Sequence, residues 1–435
     1  MDPSVGYTAI VVLFALLIGR VPIGVAMILV SWGGIAYLRG AGPALGALRS
    51  APFDFVAHWT LSAVPMFIFM GAVASRGGLT AGLYDAVRLW TSRLPGGLAI
   101  ATSFAGAGFA AICGSSLATT AAMGRIAVPE MLRNGYQPGL ATGAAAAVGT
   151  IGALIPPSIV MVLYAIFAEV SVGKMLIAGV IPGLLTALAY AVLIFLRCRA
   201  NPSLAPVLEG PRITMATKLR GLVSVGPVIV IAFIVVGAIY GGFSTATEAG
   251  AIGAAMTLLV IATQKRFNLK LISESAVETA STVASVFLIA VGASMLTQLL
   301  ALTGMTSQVS AFATGLTDNH VLIMILCCAL YLVLGAFLDP LGILLLTLPI
   351  LLPVFKTAGI NEIWAGVILV KMLEIGLLTP PVGLNVFVMK NVMGDRVSLS
   401  EIFSGVSWFL LAELVVMTLL IAFPIFILLL PGWMG

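Results

Sequence analysis

Apolar runs of about 20 residues, the length that crosses a bilayer as a helix, recur along the whole chain between short polar stretches. They predict spans near 5–19, 22–38, 60–75, 138–168 and 176–196, and again near 223–240, 246–263, 278–302, 363–389 and 406–430. Two further apolar regions, 97–128 and 321–353, are too long for one straight span. Gly114-Ser115-Ser116 interrupts the first near its middle and Asp339-Pro340 the second. Both are expected to be re-entrant helical hairpins that enter and leave the bilayer on one side. The fold class that follows is an all-α polytopic membrane protein.

Inside two of these spans the helix pattern is itself broken. Residues 151–157 read IGALIPP and residues 375–381 read IGLLTPP, 224 positions apart. A Pro-Pro pair breaks the helical ladder twice over, which a membrane tolerates only where the freed backbone lines a protein cavity. The two halves align without a gap at this offset. Pro129, Gly135 and Ala141 match Pro353, Gly359 and Ala365, and Ile151, Gly152, Leu154, Pro156 and Pro157 match Ile375, Gly376, Leu378, Pro380 and Pro381. The positive-inside rule places 197–220 in the cytoplasm, with Arg197, Arg199, Arg212, Lys218 and Arg220 against Glu209. Segment 265–270, with Lys265, Arg266 and Lys270, follows it there, as does 76–95 with Arg76, Arg88 and Arg93. Segment 303–320, without Lys or Arg, falls outside, and Arg39 and Arg49 fall outside against the rule. The count between equivalent segments is odd, so the repeats are inverted. Inverted repeats with broken helices are how alternating access is commonly built.

Composition agrees and excludes other classes. The chain has 435 residues, 61% of them hydrophobic and only 9% charged, with a mean hydropathy of +1.18, where soluble domains carry about 25% charge. The net charge of +5 comes from Lys and Arg between spans, which argues against a nucleic-acid surface. Cys113, Cys198, Cys327 and Cys328 show no metal-ligand spacing, and the two histidines are not near them, so no zinc or haem site is expected. Walker A, HExxH and GxSxG motifs are absent, which argues against ATP hydrolysis and hydrolase chemistry. Met1-Asp2-Pro3 lacks the basic flank of a cleaved signal peptide, so the first apolar segment is expected to be retained.

At the 224 offset Ser115 corresponds to Asp339 and Ile155 to Thr379, so each half brings a hairpin tip towards an unwound Pro-Pro segment. Unwound carbonyls suit a hard cation such as sodium. Ser115, Ser116, Thr119, Thr120 and Thr379 add neutral oxygens, and Asp339 adds a charged one. The helix that restarts after each break points its positive end at the cavity, which suits an anion. Plainer roles compete. The Gly-Ser-Ser run also fits a close helix-packing face, and Asp339 a surface loop. Lys371 and Glu374 fit an internal ion pair as well as a substrate contact. Glu413 has no evident partner and is expected at an intersubunit contact, while Arg125 and Arg133 are expected to be topology anchors.

CGSSLATTAAMGRIAVPEMLRNGY at 113–136 and TIGALIPPSIVMVLYA at 150–165 resemble the DctM-like large membrane subunit of tripartite ATP-independent periplasmic (TRAP) transporters. GFSTATEAGAIGA at 242–254, GAFLDPLGILLLTLPILLPV at 335–354 and IGLLTPPVGLNVFV at 375–388 extend the resemblance over essentially the whole chain. The resemblance implies an elevator-type, sodium-driven importer of the ion transporter superfamily, with sodium as coupling ion and no organic cofactor. Implied partners are a small four-span membrane subunit, a periplasmic substrate-binding protein and a small organic anion such as a C4-dicarboxylate, 2-oxo acid or sugar acid. Carried over residue by residue, a first sodium site would use Cys113, Ser115, Gly152, Ile155 and Pro157. A second would use Asp339, Gly376, Thr379, Pro381 and Val382, and the substrate would sit near Ser116, Thr119 and Asn385.

The expected organisation has scaffold helices in 1–59, a first transport repeat in 60–175, scaffold and a basic loop in 176–277, a second transport repeat in 278–403, and a final scaffold helix in 404–435. The expected location is the bacterial inner membrane with both termini periplasmic. The rivals are a stand-alone dicarboxylate carrier that needs no binding protein, a membrane-embedded enzyme and a channel. The absence of a nucleophile–base pair and the inverted repeat count against the enzyme.

Overall fold

Local chemistry sets the helix ends in this computed structural model, which describes residues 2–206, 214–317 and 319–434; Glu209 and Arg212 of the basic segment lie outside them. The first half runs α1 (Pro3–Ile18), α2 (Ile23–Arg39), α3 (Ala41–Val56), α4 (Ala63–Arg76), α5 (Leu79–Thr91), α6 (Gly97–Cys113) and α7 (Ser116–Arg133). It continues with α8 (Pro138–Ala147), a 3-10 turn Val148–Ile151, α9 (Ile159–Ala168), α10 (Val172–Ala178) and α11 (Val180–Ala200). The second half runs α12 (Met215–Tyr240), α13 (Ala246–Thr263), α14 (Leu269–Thr303), α15 (Met305–Leu316), α16 (His320–Gly335) and α17 (Pro340–Ala358). After these come α18 (Glu362–Gly376), α19 (Leu384–Met393), α20 (Leu399–Ala422) and α21 (Ile425–Gly432). No strand occurs among the described residues.

Among the described residues six helical stretches are long and apolar enough to cross a membrane, and the bent α12 makes a seventh if it is one span. Its 54° bend lies close to Pro227, the usual cause of a sharp kink. Each expected span coincides with a helix or an interrupted pair. Three helices lie outside the expected spans: α3, α5 and α15. They are short and carry polar faces, so a search for apolar runs passes over them. In α5, for example, Leu79, Leu83, Tyr84 and Ala86 are buried while Asp85 is exposed. The 76–95 segment, expected on the cytoplasmic side, thus contains the helix Leu79–Thr91.

The 224-residue repeat is visible in the helix ends. Shifting α6 and α7 by that offset gives 321–337 and 340–357, against the observed His320–Gly335 and Pro340–Ala358. The interrupted pair α8–α9 falls on α18–α19, and α5 falls on α15. The correspondence reaches the caps. Ser115 caps α7 by accepting a hydrogen bond from Ala118 N (3.4 Å), and its equivalent Asp339 caps α17 by accepting from Gly342 N (2.9 Å).

Packing sorts the helices into two groups. In one, α2 lies along α14, α13 lies along α4 and α12, and α1 and α3 pack on α2. In the other, α8 lies along α20, α6 and α20 pack on α11, and α16 lies along α18. The segments after the two breaks exchange partners, α19 packing on α7 and α9 on α17. Segment 406–430, expected with the scaffold, thus packs on the interrupted helix α8, and 176–196, also expected there, packs on α6 and α20. The reason is steric. A methyl on Gly143 would fall 2.6 Å from Gly405 C and one on Gly405 1.8 Å from Gly139 O, so a seam of glycines lets α8 and α20 touch backbone to backbone.

Candidate ion and substrate site

The first tip is seated on the first break. Helix α6 ends at Gly114 in the left-handed conformation (φ 60°), and Ser115 is extended before α7 begins. A methyl on Gly114 would meet Pro157 O at 1.9 Å, and one on Gly152 would lie 3.0 Å from Ser115 O. Cys113, Ser115, Gly152 and Pro157 are therefore neighbours. Ile155 sits in the same unwound segment, and residues 151–158 are all buried. No backbone hydrogen bond from the described residues reaches the carbonyls of 152–157. Buried carbonyls without partners are what a coordinated cation would satisfy.

The second tip is built on the same plan but stands open. A methyl on Gly335 would lie 3.0 Å from Gly376 Cα, so the end of α16 touches the start of the second break. Beyond that contact Asp339, Pro380 and Pro381 are exposed and Thr379 and Val382 are half-buried. Thr379 Oγ1 donates to Ile375 O at 2.8 Å, and Asn385 N donates to Leu377 O at 3.0 Å. The carbonyls of 378–382 receive no backbone hydrogen bond from the described residues. Both Pro156–Pro157 and Pro380–Pro381 peptide bonds are cis.

The residues expected near a substrate lie where the first tip meets the second interrupted helix. Ser116 Oγ donates to Glu374 Oε2 at 2.5 Å, and Thr119 Oγ1 donates to Ser115 O at 2.8 Å. Asn385 is fully buried, and its Nδ2 donates to Ala146 O at 3.4 Å. A cavity of about 670 Å³ opens beside the tip, lined by Gly71, Arg76, Cys113, Ser115, Ala122 and Arg125 among others. Ala122 and Arg125 lie one turn apart on α7, with Ser115 as its N-cap, so Arg125 borders the cavity from the middle of the helix. Arg76 is held by Glu274 (2.7 Å) and Glu278 (2.8 Å).

A buried polar network behind the tip changes two expectations. Lys371 does not pair with Glu374; its Nζ reaches across to Glu413 Oε2 at 2.5 Å and donates to Thr186 Oγ1 at 2.9 Å. Glu413, expected without a partner and at a subunit contact, is buried within this chain. Its Oε1 accepts from Thr150 Oγ1 (3.0 Å) and from the Tyr190 hydroxyl. The network joins the turn before the first break to α11, α18 and α20. Tyr190, Thr150 and Thr186 carried no signal in sequence, since their meeting depends on helices far apart in the chain. The rarity of charges inside apolar spans was the available clue.

Two interrupted helices, each met by a hairpin tip, within an all-helical membrane chain define a transporter. The fold also occurs in the YdaH transporter of Alcanivorax borkumensis, whose crystal structure has an unusual topology (TM-score 0.61, 16% identity, 90% of this chain and 89% of that one). The chain belongs to the DctM component family of tripartite ATP-independent periplasmic transporters, whose model matches residues 10–426. It is 34% identical over 404 residues to the C4-dicarboxylate TRAP transporter large permease protein DctM of Pseudomonas aeruginosa, covering 93% of each chain. It is 28% identical over 417 residues to the sialic acid large permease SiaM of Vibrio cholerae, covering 96% of each. It is 31% identical over 390 residues to the isethionate permease DctMQ of Oleidesulfovibrio alaskensis, covering 87% of this chain and 61% of that one. This is a multi-pass large permease subunit of a TRAP transporter, and not an enzyme.

Proposed function

We propose that this subunit carries a small organic anion inward, coupled to sodium, by an elevator movement. The observation behind this reading is the pair of unwound segments with bare carbonyls, each met by a hairpin tip. In the first sodium site the ligands are oxygens of Cys113, Ser115, Gly152, Ile155 and Pro157; in the second they come from Asp339, Gly376, Thr379, Pro381 and Val382. Sodium draws each tip onto its break, and the substrate is held at the tips and leaves through the cavity beside Ser115. Its class is a C4-dicarboxylate, 2-oxo acid or sugar acid, in line with the acids named for the relatives. A periplasmic binding protein delivers it, and a small four-span subunit completes the complex in the bacterial inner membrane, with both termini periplasmic.

The moving body in this reading is α6–α11 with α16–α20, because the interrupted helices, α11 and α20 share the buried Lys371–Glu413 network. The stationary body is α1–α4 with α12–α14, and α5 and α15 join the two. Each positive charge moved inward gains about 2.3 kcal/mol per 100 mV, so excess sodium over substrate charge drives accumulation. The test is uptake of labelled succinate, sialic acid and isethionate by the reconstituted complex. A sodium gradient should drive uptake of one of them, and Asp339→Ala and Ser115→Ala should each raise the sodium concentration required. Uptake driven only by a proton gradient would remove the sodium assignment. Uptake by this chain without a binding protein would make it a stand-alone carrier.

A further inference from the structure

Three charged side chains are fully buried among the described residues, and they do not sum to zero: Lys371, Glu374 and Glu413. Lys371 and Glu413 neutralise each other at 2.5 Å. Glu374, one helical turn beyond Lys371, is left with a hydroxyl donor alone, Ser116 Oγ at 2.5 Å. A buried carboxylate without a counter-charge is costly, and such residues inside membranes mark ion or proton pathways. A second group nearby is also unsatisfied. Asn385 is fully buried, and its Oδ1 receives no hydrogen bond. Both adjoin Ser116, Glu374 at its hydroxyl and Asn385 across Gly149. A methyl on Gly149 would come within 2.1 Å of Thr120 Oγ1, 2.7 Å of Asn385 Nδ2 and 2.8 Å of Ser116 O.

This cluster is rich in oxygen and poor in positive charge. An anionic substrate placed against Ser116 would face the Glu374 carboxylate, whereas a cation there would be held by it. We propose that oxygens of Glu374, Ser116, Thr120 and Asn385, gathered about Ser116, form a third cation site that takes one sodium ion. The inference rests on the cation-coupled reading above and moves Ser116 and Asn385 from substrate contact to cation contact. The other titratable groups facing this region are Lys371 on α18, Glu413 on α20 and Tyr190 on α11, and the first two hold each other. The position equivalent to Glu374 in the first half is Thr150, which carries no charge, so the site occurs once.

The test counts sodium ions bound to the purified chain, with ²²Na⁺ by equilibrium dialysis. Wild type is compared with Glu374→Gln, which keeps an acceptor oxygen for Ser116 and loses the charge. Ser116→Ala keeps the charge but removes one oxygen, and should bind the wild-type number with severalfold weaker affinity. Glu374→Gln should bind one sodium ion fewer. Equal sodium counts in wild type and Glu374→Gln would overturn the third site. If Glu374→Gln does not fold, Glu374→Asp serves instead. It should keep the count and weaken the affinity severalfold, and unchanged affinity would overturn the proposal. Wild type that binds no sodium at all would instead strike the sodium-coupled reading.

Discussion

The two halves share one plan and differ in how the tip meets the break. In the first half residues 151–158 are buried and Gly114 rests on Pro157 O. In the second, Pro380, Pro381 and Asp339 are exposed, and Phe337 is 66% exposed. The cause is legible at equivalent positions. Gly114 corresponds to Leu338, so a side chain stands in the second tip where the first has none. The second tip is also longer, spanning 336–339 between α16 and α17, against 114–115 in the first. One copy is thus closed and the other open. Under the elevator movement proposed above, such asymmetry distinguishes the two faces of the membrane.

The sharpest way to break this comparison is to give the first tip a side chain. Gly114→Leu places a branched residue at φ 60° against a carbonyl 1.9 Å from its Cβ. Transport should be lost, and the purified protein should melt well below wild type or fail to assemble. Leu338→Gly removes a half-buried side chain in the open tip and should cost only about 1 kcal/mol, mostly from backbone freedom. Thermal unfolding in detergent and uptake by proteoliposomes measure both. Similar behaviour of the two variants would mean that the first tip is not seated on its break.

A second difference lies behind the tips. Lys371 and Glu413 correspond to Ala147 and Ala189 in the first half, so the buried ion pair belongs to the second alone. Lys371→Met leaves Glu413 uncompensated and should destabilise by about 3–5 kcal/mol. The double variant Lys371→Met with Glu413→Leu should recover most of that loss, because an apolar pair of similar volume removes the unpaired charge. A double variant no more stable than the single one would show that Thr150 and Tyr190 need the carboxylate more than Lys371 does.

Much of this arrangement could be read from the chain because its strongest signals are local. The Pro-Pro pairs, the Gly-Ser-Ser and Asp-Pro interruptions and the apolar runs each fix a break, a tip or a span within a few residues. The amphipathic α3, α5 and α15 escaped because they do not cross the membrane as apolar runs. The side-chain network escaped for a different reason. Whether Lys371 pairs with Glu374 or with Glu413 depends on α20 lying along α8, and that contact is made by Gly139, Gly143 and Gly405. Nothing in the spacing of Lys371 encodes it. The family resemblance placed Ser116 and Asn385 near the substrate, but only the packed helices set Glu374 beside Ser116.

The smallest effect expected concerns the caps. Ser115 and Asp339 hold equivalent positions and do the same job for α7 and α17, yet their geometry differs. Asp339 Oδ2 accepts from Gly342 N at 2.9 Å, while Ser115 Oγ accepts from Ala118 N at 3.4 Å, close to the outer limit of a hydrogen bond. A carboxylate at a helix N-terminus also gains from the helix dipole. Asp339→Ala should therefore destabilise by about 1 kcal/mol, and Ser115→Ala by a few tenths. The two are separable by chemical denaturation in sodium-free buffer, which leaves only the cap hydrogen bonds to compare. If Ser115→Ala costs as much as Asp339→Ala there, its hydroxyl holds the tip more firmly than the long cap bond implies. The closed state of the first half would then owe as much to that hydroxyl as to Gly114 on Pro157 O.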